Sequence, residues 1–381
     1  MISRQESGRM TDNKKYFVGI DLGTGSGAKV GLFKDHDTQI AETLLPRSRY
    51  GQTPESVTEA LTQSVYHLLK KYNKTFTDLH AVGIATPGLL ASDFSYVLAS
   101  NLPFLNGFNL AEAIEASIGA PVSIENDANA GALAEWSVAR TEILYWVFGG
   151  GWGGAWVSAE GEIRFPSVDW DGDDASLHYT SEPGYATPLS KEVTRSFLSD
   201  AGGDPDHFFN ILRRDMAADG PLLGPSGSTE NLRAEMALSG PGRHRMFRAL
   251  THNDHTYQMH LTPQERELIY DPEKAGPIIA RLTAVRAHSA LQVDRLFGRL
   301  LAEAAETVIN KALEDGCRPG VPIFLGGKPS YALPHFGPTC QRIFGHKGIQ
   351  SYLRPSIIDD RGLNANLVGA IVLAEKYVNH L

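Results

Sequence analysis

The sequence is poor in cysteine: Cys317 and Cys340 are the only two in 381 residues. Their spacing matches no zinc motif, and so few thiols exclude a disulfide framework, which points to a reducing cytoplasm. Long apolar runs are absent too, with no stretch of about 18 such residues, so no membrane-spanning helix is expected. Positive charge is in deficit. A formal net charge of −9 and a pI near 5.8 argue against the polyanion-binding surface of a nucleic-acid binder. A nucleotide needs no such surface, because backbone amides and a metal ion can hold its phosphates. The opening MISRQESGRMTDNKKY lacks the apolar core of a signal peptide. Residues 1–15 are therefore expected to form a disordered tail, too short for a DNA-binding helix-turn-helix. No repeat of solenoid length is visible.

What remains is an ordinary globular composition, 42% apolar and 21% charged, with 38 glycines. The length suits two domains, or one large domain split by a cleft. Tyr16–Asp21 (YFVGID) reads as a strand and Ala28–Phe33 as its hairpin partner. Between them lies LGTGSG, where Gly23, Gly25 and Gly27 let the backbone turn its amides toward an anion and Thr24 and Ser26 add hydroxyl donors. Asp21 is placed to hold a hydrated Mg²⁺ ion over the same phosphates. Ile143–Phe148 (ILYWVF) repeats the pattern: a strand, then GGGWGG at Gly149–Gly154, then a strand over Ala155–Ser158. Two such loops can grip one polyphosphate from both sides, which is far more specific than either alone. A third strand, Val321–Leu325, ends in Gly326-Gly327.

Around these, Thr53–Lys71 and Leu110–Ile118 have helical apolar spacing, as do Pro277–Leu313 and Asn364–Tyr377. Leu79–Ala85 is a buried strand entering the turn Thr86-Pro87-Gly88. Asn101 either closes a turn or bonds a ligand. In VSIENDANAGALAE, Val122–Glu135, a short strand meets an alanine-rich helix starting near Ala128. Asp127, at the carboxyl end of that strand, is the candidate general base, with a plain helix cap as its other reading. Asp169, Asp171, Asp173 and Asp174 imitate a calcium loop but lack its closing glutamate, so a solvated acidic loop is expected. Glu182, before Pro183-Gly184, is held by a turn in a manner that suits a polyol. Residues 202–276 read as a lid or interface insertion. Its His252 and His255 form an HxxH pair with no further ligand at metal-binding spacing.

Taken together, Ile20–Gly27, Ala85–Gly88 (ATPG), Asn101–Pro103 (NLP), Ile124–Ala130 (IENDANA), Gly149–Gly154 and Phe324–Gly327 (FLGG) resemble, in order, the motifs of the ROK sugar kinases. The resemblance implies two α/β domains of the actin-like (ribonuclease H-like) type around a central cleft. The first would cover 16–138 plus a closing helix at 364–379, and the second 139–363 with the insertion at 202–276. It implies a kinase transferring the γ-phosphate of ATP, with Mg²⁺, to a hydroxyl of a hexose or N-acylhexosamine. Asp127 would take the hydroxyl proton, and Gly88, Asn101, Asn126, Glu182 and Glu192 would line the sugar pocket. The nucleotide would sit on Asp21, Gly23, Thr24, Gly25, Ser26, Gly149, Gly150, Gly151, Gly153, Gly326 and Gly327. A homodimer is implied, with the Leu291–Leu301 helix as a candidate interface, and no nucleic-acid or membrane partner. The chain departs from the family at Gly150, where a threonine is usual. Tyr185 stands where a histidine precedes a cysteine-rich zinc motif that this chain lacks, so no structural zinc is expected. A sugar-binding sensor with weakened catalysis is the alternative reading.

Overall fold

The computed structural model describes residues 16–23, 27–35, 38–99, 101–164, 181–215, 229–272 and 274–380. Thr24, Gly25, Ser26 and the acidic stretch at 169–174 lie outside the described residues. The chain opens with strands β1 (Tyr16–Leu22), β2 (Gly27–Lys34) and β3 (Thr38–Pro46), then helix α1 (Pro54–Lys71) and β4 (Leu79–Thr86). A small hairpin, β5 (Leu89–Leu90) with β6 (Tyr96–Leu98), precedes α2 (Leu110–Ile118), β7 (Val122–Asn126) and α3 (Asp127–Ala139). These strands form a sheet of order β3-β2-β1-β4-β7, in which β1, β4 and β7 run parallel. Each strand of the parallel trio is nearly continuously buried, as a strand covered on both faces is, although β7 carries the buried polar residues Ser123, Glu125 and Asn126.

The following elements are β8 (Ile143–Phe148), β9 (Trp152–Val157), α4 (Pro183–Ala186), β10 (Pro188–Ser190), α5 (Lys191–Asp200), α6 (Pro205–Asp215) and β11 (Asn231–Arg233). Helices α7 (Gly240–Leu250), α8 (Pro263–Leu268), α9 (Ala275–Ala284) and α10 (His288–Glu314) come next. β12 (Pro322–Gly326), α11 (Leu333–Lys347), β13 (Tyr352–Pro355), α12 (Ile357–Asp360) and α13 (Ala365–His380) complete the order. A second sheet, β13-β12-β8-β9, has β13, β12 and β8 parallel and β9 antiparallel to β8.

Each sheet builds its own core. Val18, Ile20, Val82, Ile84 and Ile124 meet α1 and α2 on one face of the first sheet. On its other face α13 lies so close that a methyl group at Gly83 would come within 1.8 Å of the Ala370 carbonyl oxygen. Gly369 of α13 touches the Ala130 carbonyl of α3 just as closely, at 1.7 Å for a built Cβ. The small residues of the last helix thus let it run between β1, β4 and α3, which larger side chains would forbid.

The second core joins Trp146, Phe148 and Trp152 to Phe297 of α10 and to Phe208, Phe209, Met246 and Phe247. The stretch read as a lid therefore supplies central packing residues. Its histidines are engaged separately: His244 Nε2 lies 3.0 Å from the Ile269 carbonyl, and His252 stacks on His207 at 3.9 Å. The single helical run expected over Pro277–Leu313 is two helices, because Arg286 takes a left-handed φ of 58° between α9 and α10. Apolar spacing continues across the break, so periodicity alone cannot reveal it. On the Leu291–Leu301 stretch, Leu296, Leu300 and Leu301 are buried in their own chain's core, while Leu291 is partly exposed.

Candidate active site

The parallel trio brings three expected site segments to one edge. Asp21 pairs in register with Ala85, and Ala85 with Glu125, so the chain leaves β1, β4 and β7 at Gly23, Gly88 and Asp127 side by side. Ligands of open α/β sheets collect at such carboxyl edges.

Asn126, not Asp127, caps α3. Its Oδ1 accepts from the Ala128 N–H at 2.8 Å and the Asn129 N–H at 3.4 Å, and its Nδ2 donates to the Gly88 carbonyl at 3.2 Å. The helix begins one residue earlier than its apolar pattern suggests, which puts Asp127 in the first turn. There its Oδ1 accepts from the Ala128 N–H at 2.9 Å. Burial, then the nearby Asp21 charge, push the Asp127 carboxyl up to about 6. Behind it Tyr96, fully buried, hydrogen-bonds Thr86 Oγ1 at 2.6 Å. Burial and the Asp127 charge both raise the Tyr96 phenol.

Asp21 is held rigidly. Asn364 Nδ2 donates to one carboxylate oxygen at 2.9 Å and Asn366 Nδ2 to the other at 3.0 Å, both from the start of α13. Tyr50 anchors the adjoining turn by donating to the Gly23 carbonyl at 3.0 Å. Among the described residues each Asp21 oxygen accepts one side-chain hydrogen bond, an arrangement compatible with Mg²⁺ when one carboxylate, waters and phosphates share its shell.

The second glycine loop is shorter than expected, because β9 begins at Trp152 and takes in Gly153 and Gly154. A Cβ built at Gly149 or Gly150 meets no atom within 4 Å. Packing therefore does not require glycine there, and the open space fits a phosphate chain approached by backbone amides. A Cβ at Gly153 would lie 3.3 Å from Ala128 Cβ, which sets the loop beside the Asp127 helix. At the third junction, Gly326 makes room for Tyr145, whose hydroxyl would be 2.1 Å from a Cβ there. Gly327 has a φ of +81° and abuts the Phe148 carbonyl, at the root of the second loop.

Glu182 stands at the N-cap position of the short α4 without a side-chain capping bond, and is half-buried. Burial, then Glu235, then Asp127 push its carboxyl up to about 8. Glu235 is the residue that the sequence reading missed. It follows β11, accepts from the Trp152 N–H, and is raised by burial against the lowering influence of Arg233. A Cβ at Gly151 would lie 2.5 Å from its Oε2, so Glu235 also borders the second loop. The available signal was its place just before Ser239-Gly240-Pro241-Gly242, since Glu182 similarly precedes a Pro-Gly turn. Glu192, aligned as the second sugar-binding glutamate, instead lies exposed in the first turn of α5. Glu235, unlike Glu192, lies close enough to Glu182 to raise its carboxyl. Asn101 is exposed in the turn after β6. Tyr185 accepts a hydrogen bond from Arg233 Nη2 at 2.8 Å and lies under its guanidinium at 3.7 Å, a brace from β11 to α4.

Two sheets with parallel carboxyl edges turned toward shared glycine loops define an actin-like ATPase fold. Residues 17–164 match the family model described as the ROK family. An N-acetyl-D-glucosamine kinase of Vibrio parahaemolyticus is 32% identical over 145 residues, 37% of this chain and 46% of that protein. The chain thus spans about half the length of the curated relatives it matches. The ROK hexokinase of Thermus thermophilus superposes with a TM-score of 0.60 at 22% identity, covering 96% of this chain and 100% of the other. The ROK family glucokinase of Streptomyces griseus, solved with glucose and AMPPNP, gives 0.61 at 17% identity, covering 95% and 99%. At these identities the likeness is one of fold. Among the described residues, no helix is long and apolar enough to cross a membrane.

Proposed function

We propose that the protein is a sugar kinase, transferring the γ-phosphate of ATP to a hydroxyl of a hexose or N-acylhexosamine. The observation that carries this reading is the convergence of Asp127, Glu182 and Glu235 with Asp21 beside the open Gly149–Gly151 loop. A carboxylate in the first turn of α3 raised to about 6 is suited to take a hydroxyl proton near neutral pH. Glu182 and Glu235 present acceptors and, when protonated, a donor to the ring hydroxyls of the acceptor. Asp21, clamped by Asn364 and Asn366, would hold Mg²⁺ through water, and that ion would neutralise charge on the phosphates. The amides of Gly149–Gly151 would supply the contact that a threonine at position 150 makes elsewhere in the family.

The related N-acetylglucosamine kinase and the glucokinase fold neighbour support a pyranose acceptor. A coupled ADP-release assay against hexoses, amino sugars and N-acylated amino sugars tests the proposal. Turnover that depends on one sugar class is expected. Sugar binding without sugar-dependent turnover would make the chain a sensor instead.

A further inference from the structure

The second sheet carries a feature that the phosphate and sugar residues do not use. Tyr331 is 69% exposed, unusual for a tyrosine outside an interface or ligand site. It lies in the 3-10 turn Lys328–Ala332, directly after Gly327. Because β8, β12 and β13 are parallel, their carboxyl ends lie in a row: Gly149 after β8, Gly327 after β12, Ser356 and α12 after β13. Adjacent strands are about 4.8 Å apart. Gly327 touches Phe148 at the root of the phosphate loop, and Tyr331 follows four residues on, in the 3-10 turn that leaves this end of β12.

From the neighbouring strand end, α12 brings Asp359 and Asp360. Asp359 accepts from the Gly327 N–H, which fixes it to the glycine junction. Asp360 is exposed. Partial burial and these two carboxylates hold the Tyr331 phenol above its ordinary range. Glu135 of α3 accepts from Ser356 Oγ and, at 2.9 Å, from the Ile357 N–H, and so ties α12 to the helix that carries Asp127.

We propose that Tyr331 is the stacking platform for the base of the phosphoryl donor, and that Asp360 selects a purine whose 6-position carries an amino group. This rests on the nucleotide reading above and deepens it. A base set over β12 while its phosphates lie over β8 needs a flat apolar face one strand away, which Tyr331 supplies. An exposed carboxylate beside that face accepts from an exocyclic amine and repels a carbonyl at the same position, so adenine is favoured over hypoxanthine.

The test is direct calorimetric binding of Mg²⁺·ATP, Mg²⁺·ITP and inorganic tripolyphosphate to the full chain and to three variants. Tyr331→Ala should weaken ATP binding about tenfold, the scale of one lost base–aromatic stack, and leave tripolyphosphate unchanged. Tyr331→Phe should stay within about twofold of the parent, since the ring face is kept. Asp360→Asn should narrow the preference for ATP over ITP. ATP binding by the parent that is indifferent to Tyr331→Ala overturns this assignment alone. Failure of the parent to bind ATP at all overturns the nucleotide reading and this assignment with it. Equal loss of ATP and tripolyphosphate in Tyr331→Ala would mean a disturbed loop and would also overturn it.

Discussion

Asn126 Oδ1 and Asp127 Oδ1 both accept from the Ala128 N–H, at 2.8 and 2.9 Å, but only Asn126 also takes the Asn129 N–H and reaches the Gly88 carbonyl, so Asn126 is the cap of α3. Replacing Asn126 with alanine removes the cap and the link to the Gly88 carbonyl at once. A loss of about 1 kcal/mol in stability is expected, read from the urea midpoint. Asn126→Asp should retain most of it, since its carboxylate can still accept.

Asp127→Asn should lower turnover by about 10²- to 10⁴-fold, the usual span for a lost general base, and keep sugar affinity within a few fold by calorimetry. The parent's turnover should fall on the acid side with an apparent pKa near 6, because Asp127 must be ionised to act. An acid limb unchanged in the variant would remove Asp127 from the role.

Glu182 has a pH signature in stability. Its carboxyl is raised from 4.5 to about 8 in the folded chain. Between those values the folded chain holds a proton that the unfolded chain has lost, so stability declines as pH rises through this window. Glu182→Gln, which cannot ionise, should show a thermal midpoint advantage over the parent that is absent near pH 4.5 and largest at pH 8 and above. Differential scanning at stepped pH measures it.

Asn364→Ala and Asn366→Ala should each raise the Mg²⁺ concentration required for half-maximal turnover, because each frees one oxygen of Asp21 to rotate. The sugar KM should be unaffected. A shift in the sugar KM instead would show that these amides shape the acceptor pocket.

Gly326→Ala drives a methyl group to 2.1 Å from the Tyr145 hydroxyl, an overpacking expected to cost about 1–3 kcal/mol. Tyr145→Phe removes the oxygen and should restore part of that loss. Chemical denaturation of the single and double variants gives the coupling energy.

Much of this arrangement was legible because strand ends and glycine turns leave local marks. Asp21, Gly88 and Asp127 each follow an apolar strand, and a parallel register carries all three to one edge. What escaped was set by contacts between residues far apart in sequence. Glu235 faces Glu182 across the chain's helical middle, and no spacing rule connects them. Asn364 and Asn366 look like ordinary capping residues before a helix, and their bonds to Asp21 exist only once α13 is docked. Glu192 lies exposed in the first turn of α5, an exposure that its order in the sequence does not reveal. The region at 202–276 read as an accessory because its polar turns hid the aromatic residues it adds to the core.

The closeness of α13 to Gly83 and Ala130 bears on how the molecule is made. Protein synthesis runs from the first strand onward, yet one face of the first sheet and the clamp on Asp21 wait for residues 365–380. Until that helix leaves the ribosome, β1 and β4 expose an uncovered apolar face, a typical liability of folding intermediates. Chaperone occupancy on the nascent chain should therefore persist past the completion of the second sheet and end only with α13.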